Sequence, residues 1–269
     1  MHFHFDMSAA NILWILTFAG ELVLLVVLLG RDRARRFRWF TLYISLMALL
    51  LLVNKLLFGR MATDTASVIF LALTDCTVIA GLLVIAELAK QAFAEAPRRP
   101  RLLGSILVAA VALAVLALWG PWPAWQTLTG GSALAALRAM ELFADKGTTL
   151  IAVLAIQATV AVLFFGRRLH AGWRSHVQQI LIGLSMAAIS QLAVRAIWQV
   201  IATHTVVHSM EQYQRVMGLR GRMYDANDAI FLCALVWWIG WLWADEPGNA
   251  APAALQQPGG TESAAGDSL

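Results

Sequence analysis

The chain has 269 residues, of which 60% are hydrophobic and only 13% are charged, and its formal net charge is +4. A soluble domain carries about 25% charged residues, so the composition excludes an ordinary soluble protein and makes the lipid bilayer the first expected partner. The positive charge does not indicate a nucleic-acid partner, because the arginines stand at the ends of apolar runs instead of in blocks that follow a phosphate backbone.

Seven apolar stretches follow one another along the chain, and each approaches or exceeds the roughly 20 residues that a membrane-spanning helix needs. They predict helices at about 10–30, 39–58, 67–90, 102–120, 147–166, 177–203 and 227–244. The predicted fold class is therefore all-α, a seven-transmembrane helix bundle that forms one domain over 1–244. The remaining residues, 245–269, are rich in Ala, Gly, Pro and Ser and predict a disordered tail.

The basic residues in the loops predict the orientation of this bundle, because cytoplasmic loops carry an excess of Lys and Arg. The loops after the first, third and fifth stretches contain more of them than the loops on the other side. We therefore expect the N-terminus outside, and the C-terminus in the cytoplasm, of a bacterial-type inner membrane. Two outer loops also have helical composition, around Ala133–Ala144 with Ser132 as its cap and around Met210–Met217. The first of these is either an outward extension of the fifth helix or a helix on the membrane surface.

Polar positions recur at equal spacing in the two halves of the chain. Glu21 precedes Gly30-Arg31 at the same distance as Gln157 precedes Gly166-Arg167, and Lys55 and Arg195 follow at similar places. This pattern predicts two parallel three-helix repeats joined by an inverting fourth helix, a 3+1+3 plan. The layout resembles that of the sugar-translocating and PQ-loop transporters, although their helix prolines and Pro-Gln pairs are missing here. The resemblance is one of topology and implies no site residue.

The same layout is similar to that of the microbial rhodopsins, in which a lysine of the last helix holds retinal. The lysines of this chain are Lys55, Lys90 and Lys146, and none lies in the seventh stretch, so retinal is excluded. No histidine lies in a predicted span, which excludes a haem held between helices by paired histidines. The sequence predicts no other cofactor.

Charges inside three apolar stretches are the strongest indication of function. Glu21, Asp75 and Arg195 each stand where hydrocarbon surrounds the helix, and such residues face a cavity or one another because their exposure to lipid is costly. Asp75 and Arg195 are both expected roughly 12 Å below the outer surface, close enough in depth to form an ion pair. Gln191 shares a helix face with Arg195.

We predict a cavity lined by Glu21, Asp75, Gln191 and Arg195, with Gln157 and Lys55 as further candidates, which binds or passes a small ion or polar solute. A structural alternative explains the same residues differently. In it, Asp75 and Arg195 only join two helices, a protonated Glu21 contacts Gln157, and Lys55 extends to the lipid headgroups.

Two other functions stay open. The chain could be a non-catalytic subunit or sensor that works through a partner membrane protein or a homo-oligomer. The absence of helix-breaking Gly and Pro in the spans favours this function, because transporter sites often use broken helices. It could also bind a metal on the periplasmic side, because His204, His208 and Glu211 share one face if their segment is helical. The alternative for these three residues is an ordinary solvated loop. An enzyme is not favoured, since no histidine lies at membrane depth beside a nucleophile.

Overall fold

Seven α-helices make up the regular structure of the described residues. The computed structural model describes residues 9–57, 63–93, 98–119, 122–124, 133–165, 175–205 and 209–245. The helices are α1 (Ala9–Gly30), α2 (Arg38–Leu57), α3 (Thr63–Ala92), α4 (Arg98–Leu118), α5 (Ala133–Phe165), α6 (His176–His204) and α7 (Met210–Trp243). The predicted all-α class is confirmed for this part of the chain, in which no strand occurs.

Six of these helices, α1, α2, α3, α5, α6 and α7, are long and apolar enough to cross a membrane. They give the chain the character of a multi-pass helical membrane protein. The predicted span 102–120 coincides with α4, but the apolar segment of α4 found among the described residues is only Val108–Leu118. A membrane-spanning role for α4 therefore stays a prediction.

Two helices extend by ten residues or more beyond their predicted ranges. α5 has 33 residues and α7 has 34, so each is about 50 Å long and exceeds the roughly 30 Å of hydrocarbon. For α5, the predicted alternative in which the Ala133–Ala144 segment extends the fifth helix is correct. For α7, the predicted loop between Met217 and 227 is wrong, because good helix formers such as Arg220 continue the helix. Ser132 and nearly all of the predicted tail lie outside the described residues.

The six long helices form a closed ring in the order α1, α2, α3, α5, α6, α7, and α4 packs outside the ring against α5. Chain neighbours in the ring are antiparallel, as the contact between Trp14 at the start of α1 and Leu51 near the end of α2 shows. The remaining two contacts are parallel. Gly147 of α5 faces Val78 of α3, and Arg31 after α1 pairs with Asp245 after α7.

The basic end of the bundle, where α1, α3, α5 and α7 finish, is tightly packed. The Arg33 guanidinium donates to the Ala244 carbonyl oxygen at 2.7 Å, contacts the His176 ring and lies 3.5 Å from the Asp245 carboxylate. The loop after α1 is thereby attached to the start of α6 and the end of α7. The sequence indicated only a topological role for these arginines, and the structure adds this structural one.

A dry core fills the half of the ring nearest the basic end. One of its fully buried side chains, Phe37, directly precedes α2. The others come from five of the six ring helices: Leu24, Leu28, Phe40, Ile44, Leu88, Ile180, Leu181, Leu235, Trp238 and Leu242. α5 adds small residues such as Ala155. The other half of the ring is packed less completely, and the candidate site lies there.

Candidate binding cavity

A cavity of about 320 Å³ lies on the axis of the ring, between the dry core and the end opposite the basic end. This volume is at the lower end of the range of small-molecule sites, roughly 300–1,000 Å³. All six ring helices contribute to its wall. The polar residues of the wall are Thr17, Glu21, Tyr43, Thr74, Thr77, Thr148, Gln191, Asn227 and Asp228. The apolar remainder includes the rings of Trp14, Phe231 and Trp238.

Glu21 is the central feature of this wall. It is 0% exposed, and neither of its carboxylate oxygens has a hydrogen-bond partner among the described residues. Thr17 stands one turn earlier on the same face of α1, is 6% exposed, and its hydroxyl is likewise unpartnered within the described chain. Two polar side chains one helical turn apart are therefore buried at the cavity without a hydrogen-bond partner among the described residues, which is rare in folded proteins.

The other threonines of the wall differ from Thr17 because each donates its proton within its own helix. Thr74 donates to the Phe70 carbonyl at 2.8 Å, and Thr77 donates to the Leu73 carbonyl at the same distance. A hydroxyl that has donated its proton still has oxygen lone pairs. These side chains therefore offer hydrogen-bond acceptors at the wall.

Trp238 forms the floor of the cavity and belongs to the dry core. Its indole nitrogen donates to the Ile180 carbonyl oxygen at 3.2 Å, and its ring meets Phe40 edge-on with centroids 5.2 Å apart. α6 can approach the indole this closely because position 183 is glycine: a Cβ there would lie 2.3 Å from the indole nitrogen.

Asn227 and Asp228 are wall residues that the sequence analysis did not select. They stand at the predicted beginning of the seventh span, where a polar residue is expected to mark a helix end. In the structure α7 begins at Met210, so both residues are in the middle of a continuous helix. The helical composition before 227 was the signal that could have revealed them.

The predicted ion pair between Asp75 and Arg195 is wrong. The Arg195 guanidinium pairs with the Asp145 carboxylate at 2.9 Å and donates to Thr149 at 2.8 Å and to Thr148 at 3.2 Å. All three partners are on α5, which lies between α3 and α6 in the ring. The extension of α5 brings Asp145, which the sequence analysis assigned to a loop, alongside Arg195. Arg195 therefore supports the cavity from behind Thr148 and does not itself line it.

Of the other predicted site residues, Gln191 lies in the wall, whereas Asp75 and Gln157 do not. Asp75 has one buried carboxylate oxygen and Gln157 a buried amide oxygen, each without a hydrogen-bond partner among the described residues. The alternative in which Glu21 contacts Gln157 is wrong as well. Neither carboxyl oxygen of Glu21 nor the amide oxygen of Gln157 has a hydrogen-bond partner among the described residues, so the two side chains are not hydrogen-bonded to each other.

Lys55 lies away from the cavity, at the end of α2. Its ammonium donates to the Asn11 side chain at 2.9 Å and stands over the Trp14 ring, 5.5 Å from the centroid. Lys55 therefore joins the start of α1 to the end of α2 and does not line the cavity.

The predicted metal ligands are not assembled in the part of the chain that the structure describes. Glu211 pairs with Arg215 one turn later on α7, His204 is exposed at the end of α6, and His208 is outside the described residues. No group of three or more metal-binding side chains occurs among the described residues.

No protein-family model matches the chain, and comparisons with curated proteins and with solved structures give no significant match.

Proposed function

We propose that this chain is a multi-pass inner-membrane protein that binds a small ion or polar solute in the central cavity and passes it across the bilayer. The observation that carries the proposal is Glu21, a buried carboxylate that faces a cavity of about 320 Å³ and has no protein partner among the described residues. A carboxyl group at membrane depth without compensation is strongly disfavoured. A polar solute that occupies the cavity would supply the missing interactions.

The arrangement of the ring supports passage as well as binding. The dry core closes the cavity toward the basic end, so a solute that enters from the opposite end stops at Trp238. The basic-loop bias places that opposite end outside the cell. Passage to the cytoplasm would then require the helices around the dry core to separate, as in alternating access.

The order of helices also supports the proposed 3+1+3 repeat. A rotation about the axis of the ring can exchange α1, α2 and α3 with α5, α6 and α7 and leave the order of the helices unchanged. The same rotation superposes the two parallel contacts, that of α3 with α5 and that of α7 with α1. The site then lies between the repeats, which is where transporters of repeated design bind their substrates.

The proposal is tested with purified protein in detergent, whose thermal midpoint is measured against alkali chlorides, amines, carboxylates and sugars. We expect at least one class to raise the midpoint. The variant Ala187→Phe, which fills the cavity from α6, should abolish the rise. Ala193→Phe, on an exposed face of α6, should keep it. A solute that passes this test is then followed into proteoliposomes. If no class stabilises the protein, or if both variants respond alike, the cavity is not a solute site.

A second candidate function, that of a subunit in a larger membrane complex, is favoured by Asp75. This carboxylate lies outside the cavity wall, about 18 Å from the start of α3, with an oxygen that lacks a hydrogen-bond partner among the described residues. A donor on a helix of another chain would satisfy it. Gentle extraction followed by native mass spectrometry tests this function: a bound membrane protein that is lost in Asp75→Asn supports it, and a bare monomer opposes it.

A further inference from the structure

We propose that the solute of the central cavity is a protonated organic amine, bound with its ammonium group against Glu21 and Thr17. This inference rests on the proposed function and specifies its substrate class. Three features of the wall carry it: its ionisable groups, its hydrogen-bond acceptors and the aromatic rings around it.

The ionisable carboxyl groups of the wall have no basic neighbour among its described residues. Glu21 and Asp228 line the cavity, and no Lys, Arg or His does so among the described residues. The guanidinium of Arg195, which contacts the wall residue Thr148, is paired with Asp145. A cation in the cavity would therefore favour the ionised form of Glu21 and pair with it, because opposite charges in a medium of low polarity interact strongly. An anion would find no positively charged side chain among the described residues of the wall.

Glu21, Thr17, Thr74 and Thr77 offer hydrogen-bond acceptors at the wall, beside the donors of Tyr43, Gln191 and Asn227. Thr17 and Glu21 together present three oxygen atoms without partners among the described residues, and Thr74 and Thr77 have already donated their protons to their own helix. The complement of these acceptors is a group with several N–H donors. An ammonium group has three such donors, and a hydrogen bond to a carboxylate is stronger than one between neutral groups.

A bare metal ion fits the wall less well. Hard cations take six or more oxygen ligands at short range, and the described residues contain no group of three or more metal-binding side chains. The cavity volume of about 320 Å³ also leaves space for an organic body beside the charged group. Tyr43, Phe231 and Trp238 contribute aromatic rings to the same wall, and aromatic faces attract ammonium groups as well as apolar carbon.

The experiment measures binding to the protein in zwitterionic lipid nanodiscs, with protein-free nanodiscs as the blank. The probes are benzylamine, butylamine and 1,4-diaminobutane at neutral pH, each compared with the alcohol and the carboxylate of the same carbon skeleton. We expect an amine to bind more tightly than its alcohol and its carboxylate. Glu21→Gln should weaken amine binding roughly 10- to 150-fold, because it removes a hydrogen bond to a charged group.

Two further variants separate loss of the site from loss of the fold. Thr17→Val removes one acceptor with little change of shape and should weaken amine binding severalfold. Glu87→Gln changes a carboxylate outside the cavity, which accepts from the Trp39 backbone N–H at 3.2 Å, and should leave amine binding unchanged. Each variant is compared with wild type for monodispersity and thermal midpoint before binding is measured.

The outcomes distinguish this inference from the function on which it rests. If an alcohol or a carboxylate binds and no amine does, the amine inference is overturned and the solute site stands. The inference is also overturned if amines bind equally well to wild type, Glu21→Gln and Thr17→Val, since the amine then lies elsewhere. If none of the probes and none of the broader solute classes bind, both proposals fail.

Discussion

The close contact between Gly183 and the Trp238 indole predicts a large effect of one methyl group. In Gly183→Ala the new Cβ would lie 2.3 Å from the indole nitrogen and 2.6 Å from Cε2, where no carbon can stay. The indole must move, and it is fully buried in the dry core. Overpacking of this kind costs about 1–3 kcal/mol. Displacement also breaks the indole hydrogen bond to the Ile180 carbonyl, which contributes about 0.5–1.5 kcal/mol.

Gly240→Ala is the matched control for this substitution. Position 240 lies in α7, and a Cβ added there meets nothing within 4 Å. Both variants gain the same helix propensity, about 1 kcal/mol per Gly→Ala change, so this gain cancels in the comparison. The difference between the two unfolding free energies should therefore reflect the indole alone, at roughly 1.5–4.5 kcal/mol.

The assay is reversible unfolding by titration with sodium dodecyl sulfate, followed by tryptophan fluorescence and checked by circular dichroism. Gly183→Ala should unfold at a lower denaturant fraction than wild type, and Gly240→Ala at the same or a higher fraction. Because Trp238 is the cavity floor, Gly183→Ala should also weaken solute binding. Equal stability of the two variants would refute the close approach of α6 and α7 on which the geometry of the floor depends.

Four other substitutions test contacts of the described helices. Arg195→Gln should destabilise the protein by about 1–3 kcal/mol because it breaks the bonds from α6 to α5. Asp145→Asn should cost less, about 1 kcal/mol or under, since the pair is partly exposed; the reverse order of unfolding midpoints would contradict the pairing. Thr159→Val should cost about 1–3 kcal/mol by removing buried hydrogen bonds to α6, and an unchanged midpoint would oppose this. Lys146→Met should detach the end of α4 from α5, and faster proteolysis of the α4–α5 connection than in Lys55→Met is the expected sign.

The sequence predicted the helices well because each apolar run is close to the length of a membrane span, a signal that does not depend on tertiary contacts. It also selected Glu21 and Gln191, since a polar residue inside such a run is improbable unless it faces the protein interior. Both residues line the cavity. For these positions, local composition contained enough information.

The partners of the charged residues could not be predicted in the same way. Depth alone placed Asp75 opposite Arg195, but α3 and α6 meet only briefly, and α5, which packs against both, supplies Asp145 as the partner of Arg195. Asp145 and Asp228 were missed for a related reason. Both belong to polar helical segments that continue an apolar span, where hydropathy falls although the helix does not end.

The closure of the ring by α1 and α7 has a consequence for biosynthesis. α1 enters the membrane first, but the wall that shields Glu21 is complete only after α7 has been inserted beside it. Until then the Glu21 carboxyl group faces lipid, the insertion machinery or a chaperone. A ribosome-bound chain that stops before α7 should therefore be an early target of membrane quality control, and the same exposure would reappear whenever the last helix is lost.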